Sequence, residues 1–364
     1  MLVVIGIISK LPRNHFGHIT DQTIDSLIKG VSVTATGIPG FGKTYFPRFI
    51  EKRINEDFPE IKTAIINLDL LNPYDFNSTM LQIKNRIGCP SSKDIQTYLE
   101  NISRKNQVIL ILEGVSSKTG KRLLQLFYNF GNINPTRIVF LTIANYTVLD
   151  SDFIKESNGY ALFAKTLLIP PFDLEGTERI IDINNNQYGW KIPENIVPEI
   201  YKLSGGNPAL ILYISLYLTE YDTNSCEFID HMLQFPALLA RINDIANVII
   251  KEPLNLCYKL GVIDSKGKIF SQLVSHYLGK FEAKGYGFFM KNLSERERRL
   301  LSILIENKGK VVEKEKVSRI MLQTPDTYSL WAIYKTIQRL KNKIKEFYTI
   351  QTVKNKGYVL KEVK

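Results

Sequence analysis

The apolar positions of this chain follow two regimes. In the first half they gather in short unbroken runs rich in β-branched residues: "VSVTAT" (31–36), "TAIINL" (63–68), "QVILIL" (107–112), "RIVFLTI" (137–143) and "KTLLI" (165–169). Short runs with no polar alternation predict strands buried on both faces. Helical stretches separate them, so the pattern predicts an α/β fold, a parallel sheet between helices. In the last fifth the spacing turns helical. Leu300, Leu301, Leu304 and Ile305 form one apolar stripe; Ile333, Ile337, Leu340 and Ile344 form another. Ser294, with Glu297 three residues on, predicts a capped helix start. "EKEKVSRIML" supplies a helix between the stripes, and "YTIQTVKNKGYVL" reads as strand, turn, strand. "MLVVIGII" at the start reads as a short buried strand with no basic flank.

Length and composition narrow the class. A chain of 364 residues with 44% hydrophobic content has material for several cores. No apolar run reaches the roughly 18 to 20 residues that a bilayer span needs, so no membrane partner is expected. Cys89, Cys226 and Cys257 are far apart and form no ligand or disulfide pattern, which reads as a reduced, cytoplasmic protein. The net charge of +11 is unevenly placed. Residues 291–364 carry 18 Lys/Arg against 8 Asp/Glu, while the other 290 residues carry 29 against 28. A basic region confined in this way attracts nucleic acid or an anionic surface, though a solvated lysine-rich face has the same composition.

"GIPGFGKT" (37–44) fits G-x-x-x-x-G-K-[ST] at every fixed position, after a predicted strand and before a predicted helix. Gly37, Gly40 and Gly42 let backbone N–H groups close around phosphates. Lys43 neutralises the β- and γ-phosphates, Thr44 offers a hydroxyl to Mg²⁺, and Tyr45 is placed with them as a nucleotide contact. The cofactors expected are therefore ATP and Mg²⁺. Glu113, at the end of "VILILE", is the expected metal-side acid, and Asp69, after "IINL", is a rival on another strand.

The phosphate loop together with "PPFDLEGTERII" (170–181) and "LSGGNPALILYI" (203–214) resembles the STAND class of P-loop NTPases, relatives of AAA+ proteins, over about 31–281. The resemblance implies that Gly206, Asn207 and Pro208, in a helical lid, touch the nucleotide base. Asn207 as a helix cap before Pro208 also accounts for that segment on local grounds alone. "LCYKLGVIDSKGKIFSQLVSHYL" (256–278) looks like the small winged-helix element that closes such modules. The chain departs from the family at Gly114, where relatives carry a second acid, and "RIVFLTIANY" lacks the basic residue many relatives place at its end.

The C-terminal pattern resembles the DNA-binding domain of OmpR/PhoB-type response regulators over about 293–360. "LSERERRLLSILIENKGKVVEKEKV" matches its first two helices, "IQRLKNKI" the end of its recognition helix and "IQTVKNKGYVL" its wing. The resemblance implies that the third helix enters the major groove of double-stranded DNA. Trp331, Tyr334, Lys335, Gln338, Arg339, Lys341 and Asn342 are then the DNA-facing residues, joined by Lys354 and Lys356 on the wing. Trp331 and Tyr334 are bulkier than is common there, so base preference does not transfer.

The expected organisation is a P-loop NTPase core (1–172), a helical lid (173–235), a winged-helix-like closing element (236–290) and a winged-helix DNA-binding domain (291–364). The expected function is an ATP-binding, signal-responsive transcription regulator that self-associates on nucleotide binding. The alternative is an AAA+-like ATPase acting on DNA in replication initiation, transposition or defence; a phosphotransferase is a third reading. With glycine at 114 no side chain there activates water, so slow hydrolysis is expected, on the order of one turnover per minute or less.

Overall fold

In a computed structural model the chain forms two compact units: Met1–Arg241 with Lys259–Ser271, and Ile242–Tyr258 with Gln272–Lys364. The structure describes residues 7–71, 76–116, 119–149, 162–221, 228–252, 254–264, 267–283, 293–321, 330–345, 348–353 and 356–362. The segment 236–290, expected as one closing element, is divided between the units.

The first unit is built on five parallel strands: β1 (Val33–Gly37), β2 (Lys62–Asn67), β3 (Val108–Val115), β4 (Ile138–Asn145) and β5 (Lys165–Leu168). All five coincide with the β-branched runs. Their spatial order is β2-β3-β4-β1-β5. β1 lies between β4 and β5, with every residue buried. That position explains the unbroken apolar run, since neither face meets water. The chain leaves β1 for the far edge of the sheet and returns through β3 and β4. Such a switch in strand order opens a crevice at the carboxyl ends, where α/β sheets bind ligands. One face of the sheet packs Ile66, Leu110, Leu112 and Phe140 against Phe127 and Phe130 of the helix Lys121–Ile133. Each buried phenylalanine contributes about 1.5–3 kcal/mol of apolar burial.

Helix α1 (Phe46–Asp57) starts directly after the glycine-rich loop, with Pro47 in its first turn, where a missing N–H costs nothing. Phe46, Phe49, Ile50 and Ile54 form its buried stripe. The lid follows as α2 (Leu174–Tyr188), α3 (Val197–Ser204) and α4 (Pro208–Glu220). Asp173 caps α2, its carboxylate accepting from Gly176 N–H at 2.7 Å. Residues 259–271 form a small hairpin closed by the bridge between Ile263 and Ile269; its expected tip residues Ser265 and Lys266 lie outside the described residues. The strand expected over 1–8 lies largely outside them too, but Ile7 and Ile8 belong to a helical stretch, 7–10, rather than a strand.

The second unit contains α5 (Glu295–Glu306), α6 (Lys314–Met321), α7 (Leu330–Ile344) and a three-stranded antiparallel sheet. Its strands are β6 (Val312–Glu313), β7 (Tyr348–Val353) and β8 (Gly357–Glu362), in the order β6-β8-β7. The expected capping box is present: Ser294 N–H donates to Glu297 Oε2 at 2.7 Å, and Glu297 N–H to Ser294 Oγ at 3.4 Å. Both sequence stripes enter one core of Leu300, Leu301, Leu304, Ile333, Ile337, Leu340 and Ile344, closed by Tyr348, Ile350, Tyr358 and Leu360. Every member of that core lies between residues 293 and 360.

Candidate functional site

The loop after β1 turns tightly into α1. Gly40 and Gly42 have φ of 87° and 77°, which L side chains rarely adopt. Lys43 Nζ donates to the carbonyls of Gly37 at 2.6 Å and Ile38 at 2.7 Å. Burial disfavours its charged form and lowers its pKa to about 8.

A cavity of about 430 Å³ opens over this loop, within the range of small-molecule sites. Gly40, Gly42, Lys43, Thr44 and Tyr45 line it, and so do Pro208 and Ala209 at the head of α4. Its apolar wall comes from two sources. Phe172, Ile180, Ile183 and Tyr188 belong to α2 and its approach, while Ile7, Leu11, His15 and Phe16 belong to the N-terminal segment. The sequence reading missed that second source. "LPRNHF" has no periodicity to mark it, and its role arises from an aromatic cluster in which Phe16 meets Phe46, Phe49 and Phe172 at 5.1 to 5.6 Å between ring centres. Two polar atoms in the cavity wall, His15 Nδ1 and Asn184 Nδ2, are buried and have no hydrogen-bond partner among the described residues. Burial, with a smaller contribution from Arg179, lowers the His15 pKa to about 4, so its ring is neutral at ordinary pH.

Asn207 joins lid to loop. Its Oδ1 accepts from Ala209 N–H at 3.0 Å and Leu210 N–H at 3.1 Å, capping α4 as the sequence predicts. Its Nδ2 then donates to Pro39 O at 3.1 Å, across 168 residues. Gly206 before it has φ 74°, and a Cβ there would stand 1.8 Å from the Phe172 carbonyl oxygen, so only glycine fits. From the other side, Phe270 of the 259–271 hairpin packs edge-on against Phe41 of the loop, 5.8 Å between ring centres.

Glu113 lies near the carboxyl end of β3 and is 7% exposed. Both its oxygens accept from Arg48 on α1, the second at 3.1 Å from Nη2. Arg48 Nη1 also donates to the Thr44 carbonyl at 2.7 Å. One guanidinium thus ties the expected metal-side acid to the end of the phosphate loop. Gly37 and Glu113 do not line the cavity. Gly114 is not bare: the Asp69 carboxylate lies against its backbone, 2.6 Å from where a Cβ would stand. The rival acid of the sequence reading therefore comes to the same strand end as Glu113.

In the second unit, α7 buries Ile333, Ile337, Leu340 and Ile344 and turns the intervening positions outward. Lys335, Gln338, Arg339 and Asn342 are exposed and Lys341 is half-buried. Tyr334 is 47% exposed. Trp331 lies on the same helix, and nothing is described of its side chain. Lys356 is exposed at the hairpin turn; Lys354 lies outside the described residues. The sequence reading missed β6. The signal for it is Gly357, where a Cβ would stand 1.9 Å from the Val312 carbonyl oxygen.

A parallel sheet with a glycine-rich phosphate loop at the end of its inner strand, followed by three helices and a winged hairpin, defines the class. The chain joins a parallel α/β fold with a phosphate-loop sequence to a C-terminal winged-helix domain of the OmpR/PhoB type. Residues 290–360 match the family described as "Transcriptional regulatory protein, C terminal". Among solved structures the chain is similar to the Orc1 protein of Aeropyrum pernix in complex with DNA, at 12% identity over 97% of this chain and 89% of that one, TM-score 0.39. It is similar to a Walker-type ATPase of Pyrococcus abyssi, at 14% identity over 94% and 91%, TM-score 0.44. A third is the RuvB Holliday junction branch migration motor of Thermotoga maritima, at 14% identity over 72% and 92%, TM-score 0.37. No curated protein matches the chain. Among the described residues no helix is long and apolar enough to cross a membrane.

Proposed function

We propose that the chain is a transcription regulator of the STAND kind. ATP binds at "GIPGFGKT" and sets the state of the lid, and residues 291–364 bind double-stranded DNA. The observation that carries this reading is Asn207, whose side chain caps α4 and bonds the phosphate loop at once. A ligand that moves the loop acts on the lid through that residue, and nucleotide then favours one arrangement of core and lid. The triphosphate sits against the loop N–H groups and Lys43, with the base in the apolar part of the cavity. His15 Nδ1 and Asn184 Nδ2 give a base edge two polar atoms that have no other partner among the described residues.

The Thr44 hydroxyl and the Glu113 carboxylate are oxygen donors of the kind Mg²⁺ takes, and Arg48 bonds both the Glu113 carboxylate and the Thr44 main-chain carbonyl. Thr44 would hold the ion with Glu113 behind it; the ion supplies neutralisation of phosphate charge. On DNA, α7 presents Trp331, Tyr334, Lys335, Gln338, Arg339, Lys341 and Asn342 to the groove, and Lys354 and Lys356 reach the backbone from the wing. Self-association on ATP binding multiplies a weak single-domain affinity through effective concentration.

Footprinting of the full chain on genomic promoter fragments, with and without ATP, tests the reading. Protection of discrete sites that changes with ATP is the expected result. Uniform, sequence-independent coating that requires ATP would overturn it in favour of an ATPase that works on DNA.

A further inference from the structure

We propose that Asp69 is a catalytic residue of this site: it takes the proton from the water that attacks the γ-phosphate, the role that the side chain missing at Gly114 leaves open. The proposal rests on the reading of the loop as an ATP site. It starts from an irregularity in the sheet. Pairing of β3 with β4 shifts register between Glu113 and Val115, and Gly114 in that gap has φ 81°. Such bulges re-aim side chains at the ends of strands. Here the bulge makes room for a side chain from the turn that follows the neighbouring strand. A Cβ on residue 114 would stand 2.6 Å from Asp69 Oδ2, 2.7 Å from its Cγ and 2.9 Å from Oδ1. The Asp69 carboxylate therefore occupies the place where a side chain of residue 114 would begin.

Its position is fixed by local structure. Asp69 lies in the short turn Leu68–Leu70 that follows β2, and its N–H is held by Asn67 Oδ1 at 2.9 Å. Asn67 is itself the register partner of Glu113. Two carboxylates thus meet at one strand end with different commitments. Both oxygens of Glu113 are occupied by Arg48, which also bonds the Thr44 carbonyl. The Asp69 carboxylate is exposed and has no hydrogen-bond or ion-pair partner among the described residues. Of the pair, it is the one with lone pairs free to orient and deprotonate a water.

In the step assigned to it, the water oxygen forms a bond to the γ-phosphorus. The bond from that phosphorus to the bridging oxygen breaks, and ADP leaves with the electron pair. The water proton passes to Asp69 and from there to solvent. The balance is ATP plus water giving ADP and inorganic phosphate. Positioned bases of this kind contribute about 10²- to 10⁴-fold in rate.

The experiment uses the full chain, with steady-state phosphate release and ATP affinity by calorimetry measured on the same preparations. Asp69→Asn keeps the size and the backbone bond to Asn67. It is expected to lower kcat by about 100-fold or more, with the ATP Kd within about twofold of wild type because the phosphate loop is untouched. Asp69→Glu, which restores the carboxylate, should recover part of kcat. The proposal is overturned if Asp69→Asn leaves kcat within threefold of wild type, or if kcat and ATP affinity fall together. It is also overturned if the wild-type chain shows no phosphate release that depends on Lys43. That last result leaves the ATP-binding reading intact, whereas wild-type protein that does not bind ATP in the calorimeter overturns the ATP site itself.

Discussion

At the phosphate loop Lys43 is half-buried and bonded to two carbonyls, whereas on α7 Lys335 and Arg339 are exposed. Both regions are read as binding phosphate, yet they differ in how the charge is held. The loop relies on backbone N–H groups and a single ammonium whose charge burial opposes. The helix relies on several side chains, each screened by salt and each replaceable. A site of the first kind is specific and fragile, and responds to proton concentration. One of the second kind is graded and responds to ionic strength.

Removing the Lys43 charge gives the largest effect. At an effective dielectric of about 20, a charge pair about 4 Å apart is worth about 4 kcal/mol. Lys43→Ala should therefore weaken ATP binding by about two orders of magnitude or more in calorimetry. DNA binding by the same full-length variant, measured without ATP, should not change, since the core of the DNA-binding region is complete within residues 293–360. Equal loss in both assays would erase the distinction between the regions.

Next come the exposed charges. Lys335→Ala together with Lys354→Ala should reduce the slope of log affinity against log salt by about one for each phosphate that is no longer neutralised. Fluorescence anisotropy with duplex DNA from low to moderate salt reads that slope, and an unchanged slope would remove both lysines from the DNA face. Proton dependence sharpens the contrast. As pH rises through about 8, Lys43 in the free protein loses its charge, so ATP binding must take up a proton. ATP affinity should hold from pH 6 to 7 and then fall by at most about tenfold per unit above pH 8. Lys43→Arg, which keeps its charge, should flatten the profile. The smallest effect is structural. Ser294→Ala removes the cap of α5 and should destabilise the fragment 291–364 by about 1 kcal/mol in urea unfolding.

The two regions were also unequally legible in the sequence. In the C-terminal region the stripes, the Ser294–Glu297 cap and the hairpin depend on residues close in the chain, and each was readable as a pattern. Only β6 escaped, because two residues carry no period. In the nucleotide region the five strands and the loop were readable for the same reason, and Asn207 showed as a cap. Its second bond, to Pro39, did not show. Nor did the Arg48–Glu113 pair, 65 residues apart, or the approach of Asp69 to Gly114 from the turn after β2. A glycine in a sequence states that a side chain is missing; whether another chain segment fills the gap is decided by the tertiary fold.

The bond from Asn207 to Pro39 also sets a schedule for the ribosome. The phosphate loop emerges early in synthesis, but the residue that fastens it to the lid is made 168 positions later. At about 5–20 residues per second the loop waits roughly ten to thirty seconds for that partner. The C-terminal core has no such wait, because all its members lie within one late stretch. A nascent chain therefore completes its junction of loop and lid only after most of the first unit has been translated, and a ribosome that stalls before Asn207 leaves a glycine loop without that bond to the lid.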